Sequence, residues 1–280
     1  KTIAPASQLL EVAETMIGKG YKANELKLNG PNKSAYVKFY KLDPTFRDRQ
    51  FVWYGNNIAY HYRVFLNPHT AQVLKVENTK WEFFTLVESF HTSLLMGPMG
   101  TSVISIAILI FVIMLFTGIV LWWPHNKKAL KMSTWFRWKR TTKRRRKSYD
   151  LHNILGFYVL FPVFIVAITG LSWSYKWVGE SVKWLGNGGQ SKKVTWPDVK
   201  SAPGPGIFEA GINTVHTDLL ETHPNANAVR IFIPRDSIAP MYTAIQLKED
   251  IPYAWNYYDQ YSGKLLGKVE YKEISSGEKL

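Results

Sequence analysis

The sequence predicts a membrane α-helical hairpin flanked by two α+β modules. The first observation behind this fold class is a pair of apolar segments, Ser102 to Leu121 and Leu151 to Trp173, which contain no Asp, Glu, Lys or Arg. Each reaches the ~20 residues that a helix needs to cross a hydrocarbon layer of ~30 Å. The second observation is that the regions on either side of the hairpin share one pattern of a helix followed by strands.

The loop between the apolar segments is strongly basic. From Pro124 to Asp150 it holds eleven Lys and Arg residues and one acid, and so carries ten of the fourteen net positive charges. The positive-inside rule places such a short loop in the cytoplasm, and both flanking regions then lie on the other side of the membrane. Basic clusters also bind nucleic acid, but a loop tethered to two spans needs an orientation signal, and we expect no nucleic-acid partner.

Length and composition set further limits. The chain begins at Lys1 without an initiator Met or a signal sequence, and we expect it to be part of a larger polypeptide. It has no cysteine, which excludes disulfides, Cys-ligated zinc, iron–sulfur clusters and thioether-attached haem. The predicted division is a first module at 1–80, a lead-in segment and transmembrane helix at 81–123, the basic loop at 124–150, a transmembrane helix at 151–177, and a second module at 178–280.

The two modules are predicted to be an internal duplication. Each begins with an amphipathic helix, at Ala6 to Gly18 and at Ile207 to Leu220, and each ends with a strand, a turn and another strand. Aligning the turns matches three pairs of residues: Asn67 with Asp259, Thr70 with Ser262, and Ala71 with Gly263. Two unrelated hairpins with common turn residues are the alternative, but the agreement in element order favours duplication.

His152 is the first candidate for chemistry. It opens the second apolar segment, and Gly156, Val163, Ala167 and Gly170 follow near the same helical face. An imidazole facing the interior of a helix bundle serves as a haem or metal ligand, a proton relay or a structural hydrogen-bonding group. A face of small residues equally suits simple helix packing, so both interpretations stand.

His91 is the second candidate. It lies in the aromatic stretch Trp81 to Met96 before the first span, and Gly97-Pro98 is predicted to break the helix there. The alternative role is an interfacial polar residue in an aromatic belt, for which Trp122, Trp123, Trp173 and Trp177 are further candidates. The remaining module histidines match no metal-binding spacing and are expected to be solvated: His61, His69, His216 and His223.

Four stretches resemble the PepSY-associated transmembrane family of bacterial inner-membrane proteins, and the resemblance as a whole covers nearly all of the chain. They read HTSLLMGPMG…LFTGIVLWWP, DLHNILGFYVLFPVFIVAITGLSWSY, NPHTAQVL and DQYSGKLL. The resemblance implies two PepSY-like periplasmic modules and four spans, with one further His-bearing helix before the first module and one after the second. Two residues depart from the pattern: His125, where a basic residue is expected, and Ala71, where the turn usually has glycine.

The resemblance also implies ligation of b-type haem by span histidines, as in ferric-chelate reductases. His91 and His152 would then be axial ligands of the haem iron, with two haems per full-length chain and incomplete binding in this part alone. Bis-imidazole ligation takes one His from each of two helices, and this hairpin supplies one near each interface. The implied partners are the lipid bilayer, a cytoplasmic electron donor and ferric iron or a ferric siderophore in the periplasm.

A second hypothesis comes from a different class of protein. The chain would be a non-enzymatic membrane sensor or assembly protein whose modules bind a peptide or partner at an exposed strand edge. Both histidines are structural under this hypothesis. Nothing in the sequence resembles a Ser-His-Asp arrangement, a phosphate-binding loop or a GxGxxG turn, so no hydrolase or nucleotide enzyme is indicated.

Overall fold

The computed structural model describes residues 3–30, 33–192, 194–202, 207–248 and 251–279, so the predicted module ends at Lys1 and Leu280 lie outside the described residues. The helices are α1 (Ala6–Ile17), α2 (Tyr54–Asn57), α3 (Phe83–Ser93), α4 (Gly97–Trp122), α5 (Lys127–Ser133), α6 (Arg144–Ser174), α7 (Lys176–Gly186) and α8 (Phe208–Thr222). The strands are β1 (Ala23–Asn29), β2 (Ala35–Leu42), β3 (Ile58–Leu66), β4 (Val73–Asn78), β5 (Ala228–Phe232), β6 (Met241–Lys248), β7 (Ile251–Tyr258) and β8 (Leu265–Val269).

The strands of both predicted modules belong to a single antiparallel sheet in the order β4-β3-β2-β1-β5-β6-β7-β8. Each half consists of a helix followed by four strands, and the halves meet where β1 pairs with β5, with Leu26 opposite Ile231. The strand β1 has no clear signal in the sequence, because Asn, Glu and Lys residues, which strands disfavour, fill much of ANELKLN. The pairing of β1 with β5 covers an edge that either half alone would leave exposed.

One hydrophobic core serves both halves. Because strand side chains alternate between the two faces of a sheet, the apolar set of every inner strand points to the same face. The helices α1 and α8 pack beside each other on that face, and Leu9, Phe39, Ile212 and Ile231 are fully buried there.

A polar contact also joins the two helices. The backbone N–H of Ser7 donates to Asn213 Oδ1 at 3.0 Å, and Asn213 Nδ2 donates to Ser7 Oγ at 2.8 Å.

The two matched turns have the same hydrogen-bond pattern. Asn67 Oδ1 accepts from the N–H of His69 at 2.9 Å, and Asp259 Oδ1 accepts from the N–H of Tyr261 at 3.1 Å. Both turns then reach a residue with positive φ, 56° at Ala71 and 70° at Gly263. Alanine is less suited to this conformation than glycine, so Ala71 keeps the turn at a small energetic cost.

The helices α4 and α6 form an antiparallel hairpin. The rings of Phe116 and Phe164 lie 5.5 Å apart, and Trp122 stacks on Phe157 with ring centroids 4.2 Å apart. Both helices are long and apolar enough to cross a membrane, and most of the surface of each is exposed. The second helix begins at Arg144, inside the predicted loop, and ends at Ser174, where α7 changes the chain direction.

A sharp break separates α3 from α4. The prediction of a break at Gly97-Pro98 is confirmed, and it includes three residues with positive φ: Leu94, Leu95 and Gly97. The loop between β2 and β3 holds this junction, since Tyr54 N–H donates to the carbonyl of Leu95 at 2.8 Å. The N-terminal end of α4 is therefore held against one end of the sheet.

Candidate functional site

His91 lies near the C-terminal end of α3, outside the hairpin, and its side chain is exposed. Phe84, Val87 and Phe90 on the same helix are also exposed, Phe84 by 74% and Phe90 by 57%. Apolar residues at this spacing form one face of a helix, which is typical of a helix lying along a membrane surface. The structure therefore places His91 beside an apolar face near the N-terminal end of α4.

His152 lies at the other end of the hairpin. Its side chain is exposed, and the stacking of Trp122 on Phe157 shows that α4 ends before α6 reaches His152. The predicted face of small residues is therefore divided into two parts. Ala167 is buried and Gly170 lies close to Ile108 of α4, whereas a Cβ on Gly156 would meet nothing within 4 Å.

The structure keeps the two candidate histidines apart. From His152 to Gly170 alone, α6 rises about 27 Å at 1.5 Å per residue, and His91 lies beyond the start of the antiparallel α4. Within the described ranges, no three His, Asp or Glu side chains are grouped so that they could hold a metal ion. Both imidazoles are exposed without a described hydrogen bond, and Gly156 leaves open space one turn after His152. The open space at Gly156 leaves room for a flat group next to the imidazole of His152.

Two of the module histidines differ from the prediction. His61 and His216 were expected to be solvated, but they are 7% and 4% exposed. Both ring nitrogens of His61 and Nε2 of His216 are buried without a hydrogen-bond partner in the described part of the chain. Burial lowers the pKa of each imidazole to about 4, and the charges of Lys38 and Arg63 add to the effect at His61. The helical spacing of His216 with Ile212 and Leu219 was the signal that could have revealed its burial.

The aromatic residues predicted as belt anchors lie at the ends of the spans. Trp123 follows the last residue of α4, Trp173 lies in the last turn of α6, and Trp177 lies in the first turn of α7. All three are exposed, whereas Trp122 is half-buried by its stacking on Phe157. Amphipathic rings at both ends of an apolar hairpin match the two interfaces of a bilayer.

These features define a class of protein in which an antiparallel sheet is attached to a hairpin of two helices that are long and apolar enough to cross a membrane. The model of the PepSY-associated TM region matches residues 21–269, and the chain belongs to that family. It is therefore a membrane protein with PepSY-type sheet modules. No curated protein matches the chain with significance.

Proposed function

We propose that this chain is part of a b-type haem protein of the bacterial inner membrane that carries electrons outward to reduce ferric iron or a ferric siderophore in the periplasm. The observation that carries the proposal is the placement of His91 and His152, one exposed imidazole at each end of an apolar hairpin. A charge crosses hydrocarbon only at great cost, so electron transfer between two sites in the bilayer needs a cofactor near each interface.

In this proposal each histidine holds one haem iron through one imidazole. A further His-bearing helix, before the first module for His152 and after the second module for His91, would supply the second imidazole for each haem and complete a four-helix bundle. Bound haem supplies one-electron chemistry. The chain's own contribution is to separate the two imidazoles across the hairpin and to leave the open space at Gly156 beside His152.

The proposed orientation rests on the basic loop. The helix α5 and the first turns of α6 lie in it, and Asp150, its one acid, pairs with Arg146 at 2.9 Å. The loop therefore faces the cytoplasm and an electron donor there, and the sheet lies in the periplasm, where it positions the electron acceptor.

The site is tested by the haem content of the full-length protein. We expect two haems per chain, and we expect His152→Ala and His91→Ala each to remove one of them, as measured by the pyridine haemochromogen assay and the low-spin Soret band. His223→Ala is the matched control, because His223 lies at the end of α8, which packs on the sheet, and not on the hairpin. An unaltered low-spin spectrum in the double variant His91→Ala/His152→Ala would refute the assignment.

The orientation is tested separately by labelling introduced cysteines, since the chain has none of its own. A cysteine at Ser133 or Thr142 should react with a membrane-impermeant maleimide only from the cytoplasmic side. A cysteine at Ser34 or Ser237 should react only from the periplasmic side. Labelling on the reverse sides would overturn the topology without bearing on haem binding.

One observation supports a second candidate function, a non-enzymatic sensor or assembly protein that binds a peptide. The edge strand β4 is largely exposed, and Leu74 and Val76 are 57% and 42% exposed. An open strand edge can accept an added strand from a partner. A colourless full-length protein that binds an extended peptide along β4 would favour this function over electron transfer.

A further inference from the structure

The sheet face opposite α1 and α8, here called the open face, combines cationic and aromatic side chains. Residues directly opposite each other in neighbouring strands share a face, and one row crosses the whole sheet. In the order of the strands from β4 to β8, the row is Glu77, Arg63, Lys38, Glu25, Phe232, Tyr242, Tyr257 and Gly267. The first half of the sheet thus contributes the charges, and the second half contributes the aromatic rings.

Glu25 and Glu77 on this face are paired with cations, whereas Asp236, which lines the cavity described below together with Glu25, has one carboxylate oxygen without a described partner. Glu25 is buried and pairs with Arg230 at 3.3 Å, and Glu77 pairs with Lys75 at 2.7 Å. Asp236, at the end of the face, uses Oδ1 to accept the N–H groups of Ile238 and Ala239 at 3.0 and 2.7 Å.

Two cations nearby have no described carboxylate partner. Lys38 and Arg235 form no ion pair with any acid in the described part of the chain. The Nε of Arg63, next to Lys38 in the row, is buried without a hydrogen-bond partner there. The face therefore has more cationic groups than its acids neutralise.

The aromatic half forms a continuous surface. Phe232 and Tyr242 stack with centroids 4.1 Å apart and planes 7° apart, and Tyr242 and Tyr257 stack at 6.2 Å. Tyr242 is exposed. A planar apolar group can lie against such a surface, since offset stacking is favourable.

A cavity of about 430 Å³ brings the two halves together where β1 meets β5. Lys38 and Tyr40 line it from the first half, Phe232 and Tyr242 line it from the second, and Arg235 lies on the loop between β5 and β6. Its size suits a small organic molecule. It lies at the end of the sheet that is fastened to the α3–α4 junction.

The titration behaviour of the lysines is consistent with an anion site. Burial lowers the pKa of Lys38, and the guanidiniums of Arg63 and Arg230 lower it further, while Glu25 and Glu88 of α3 oppose the shift. Burial, and then Arg230, lower the pKa of Lys27 in the same way. A bound anion would stabilise the charged form of Lys38, which lines the cavity.

We propose that this cavity binds a small, multiply charged organic anion that carries an aromatic ring. Lys38 and Arg235 hold its carboxylate or phenolate oxygens, and Tyr242 and Phe232 stack on its ring. Guanidinium and ammonium groups form charge-assisted hydrogen bonds with such oxygens. The binding site needs no haem, so it can be tested independently of the proposed electron transfer.

The test is isothermal titration calorimetry of the full-length protein in phosphatidylcholine nanodiscs at low salt. The probe is benzene-1,3,5-tricarboxylate, and citrate, a tricarboxylate without a ring, is the comparison. We expect the aromatic probe to bind more tightly than citrate. Lys38→Gln and Arg235→Gln should each weaken the binding of the aromatic probe by about tenfold or more, because a hydrogen bond to a charged group is lost. Tyr242→Leu should weaken the binding of the aromatic probe by about fivefold and leave the binding of citrate unchanged.

Lys41→Gln is the matched control. Lys41 lies on the same strand as Lys38, is exposed, and pairs with Tyr60 on the opposite face of the sheet, so its loss should leave binding unchanged. Arg235 is exposed on a loop, so its variant is expected to fold even if Lys38→Gln does not. Equal binding of the two probes, or full binding by Arg235→Gln, would overturn the proposal. Competition by phosphatidylglycerol in the nanodisc would overturn it in favour of a lipid headgroup.

Discussion

Replacing Gly100 with valine is expected to destabilise the junction of α3 and α4 by about 3 kcal/mol or more. A Cβ at Gly100 would overlap the backbone carbonyl of Ser93, and backbone cannot yield as a flexible side chain can. The helices must then separate, and α3 moves together with His91. The loss is measured as a lower thermal midpoint of the protein in detergent micelles.

Gly118→Val is the matched control for this variant. It places the same side chain in the same helix, at a glycine whose Cβ would meet nothing within 4 Å. The intrinsic change in helix propensity is therefore the same, and only the packing differs. Equal thermal midpoints for the two variants would contradict the close approach of α3 to α4.

The second large effect is a loss of stability of the sheet when the pH falls from 7 to 5. His61 and His216 have folded-state pKa values of about 4, below the ~6.5 of an unfolded chain. Between these two pKa values the unfolded state binds more protons than the folded state. The free energy of unfolding therefore falls as the pH drops from about 6.5 toward 4, and it keeps its full value above this range. Each histidine should contribute a loss of about 2 kcal/mol between pH 7 and pH 5.

The measurement is a urea titration in detergent micelles, followed by tryptophan fluorescence, at both pH values. His216→Leu places an apolar side chain at the buried position and removes the titrating group. This variant should therefore lose about half of the pH dependence of the free energy of unfolding. His223→Gln, at the end of the same helix, should lose much less, since His223 is only half-buried. A pH dependence that is identical in wild type and His216→Leu would show that the buried imidazole is not its source.

The elements that the sequence predicted depend on neighbouring residues. The two spans follow from about 20 consecutive apolar residues, and the turns at Asn67 and Asp259 follow from a side chain that binds its own backbone two residues later. The break before α4 follows from Gly97-Pro98. The position of His91 and His152 beside the spans is evident in the sequence, and the structure has them there too.

Other features depend on pairs of residues that are distant in the sequence. The contact of Ser7 with Asn213 joins residues 206 positions apart, and the pairing of β1 with β5 is similarly remote. The sequence pattern of one strand does not specify which other strand it will pair with. The basic and aromatic row of the open face, the burial of His61 under its neighbours and the contact of Gly100 with Ser93 all arise only after these partners are set.

The sequence by itself thus determined the membrane hairpin, the charge asymmetry of its loop and the repeated turn chemistry, because hydropathy, charge and Asx turns act over a few residues. The tertiary structure alone decided that the two modules form one sheet, and that Lys38 and Arg235 lie with Tyr242 around one cavity. The physical reason is that strand pairing and helix packing are set by complementary surfaces of distant segments, which the local pattern of either segment does not specify.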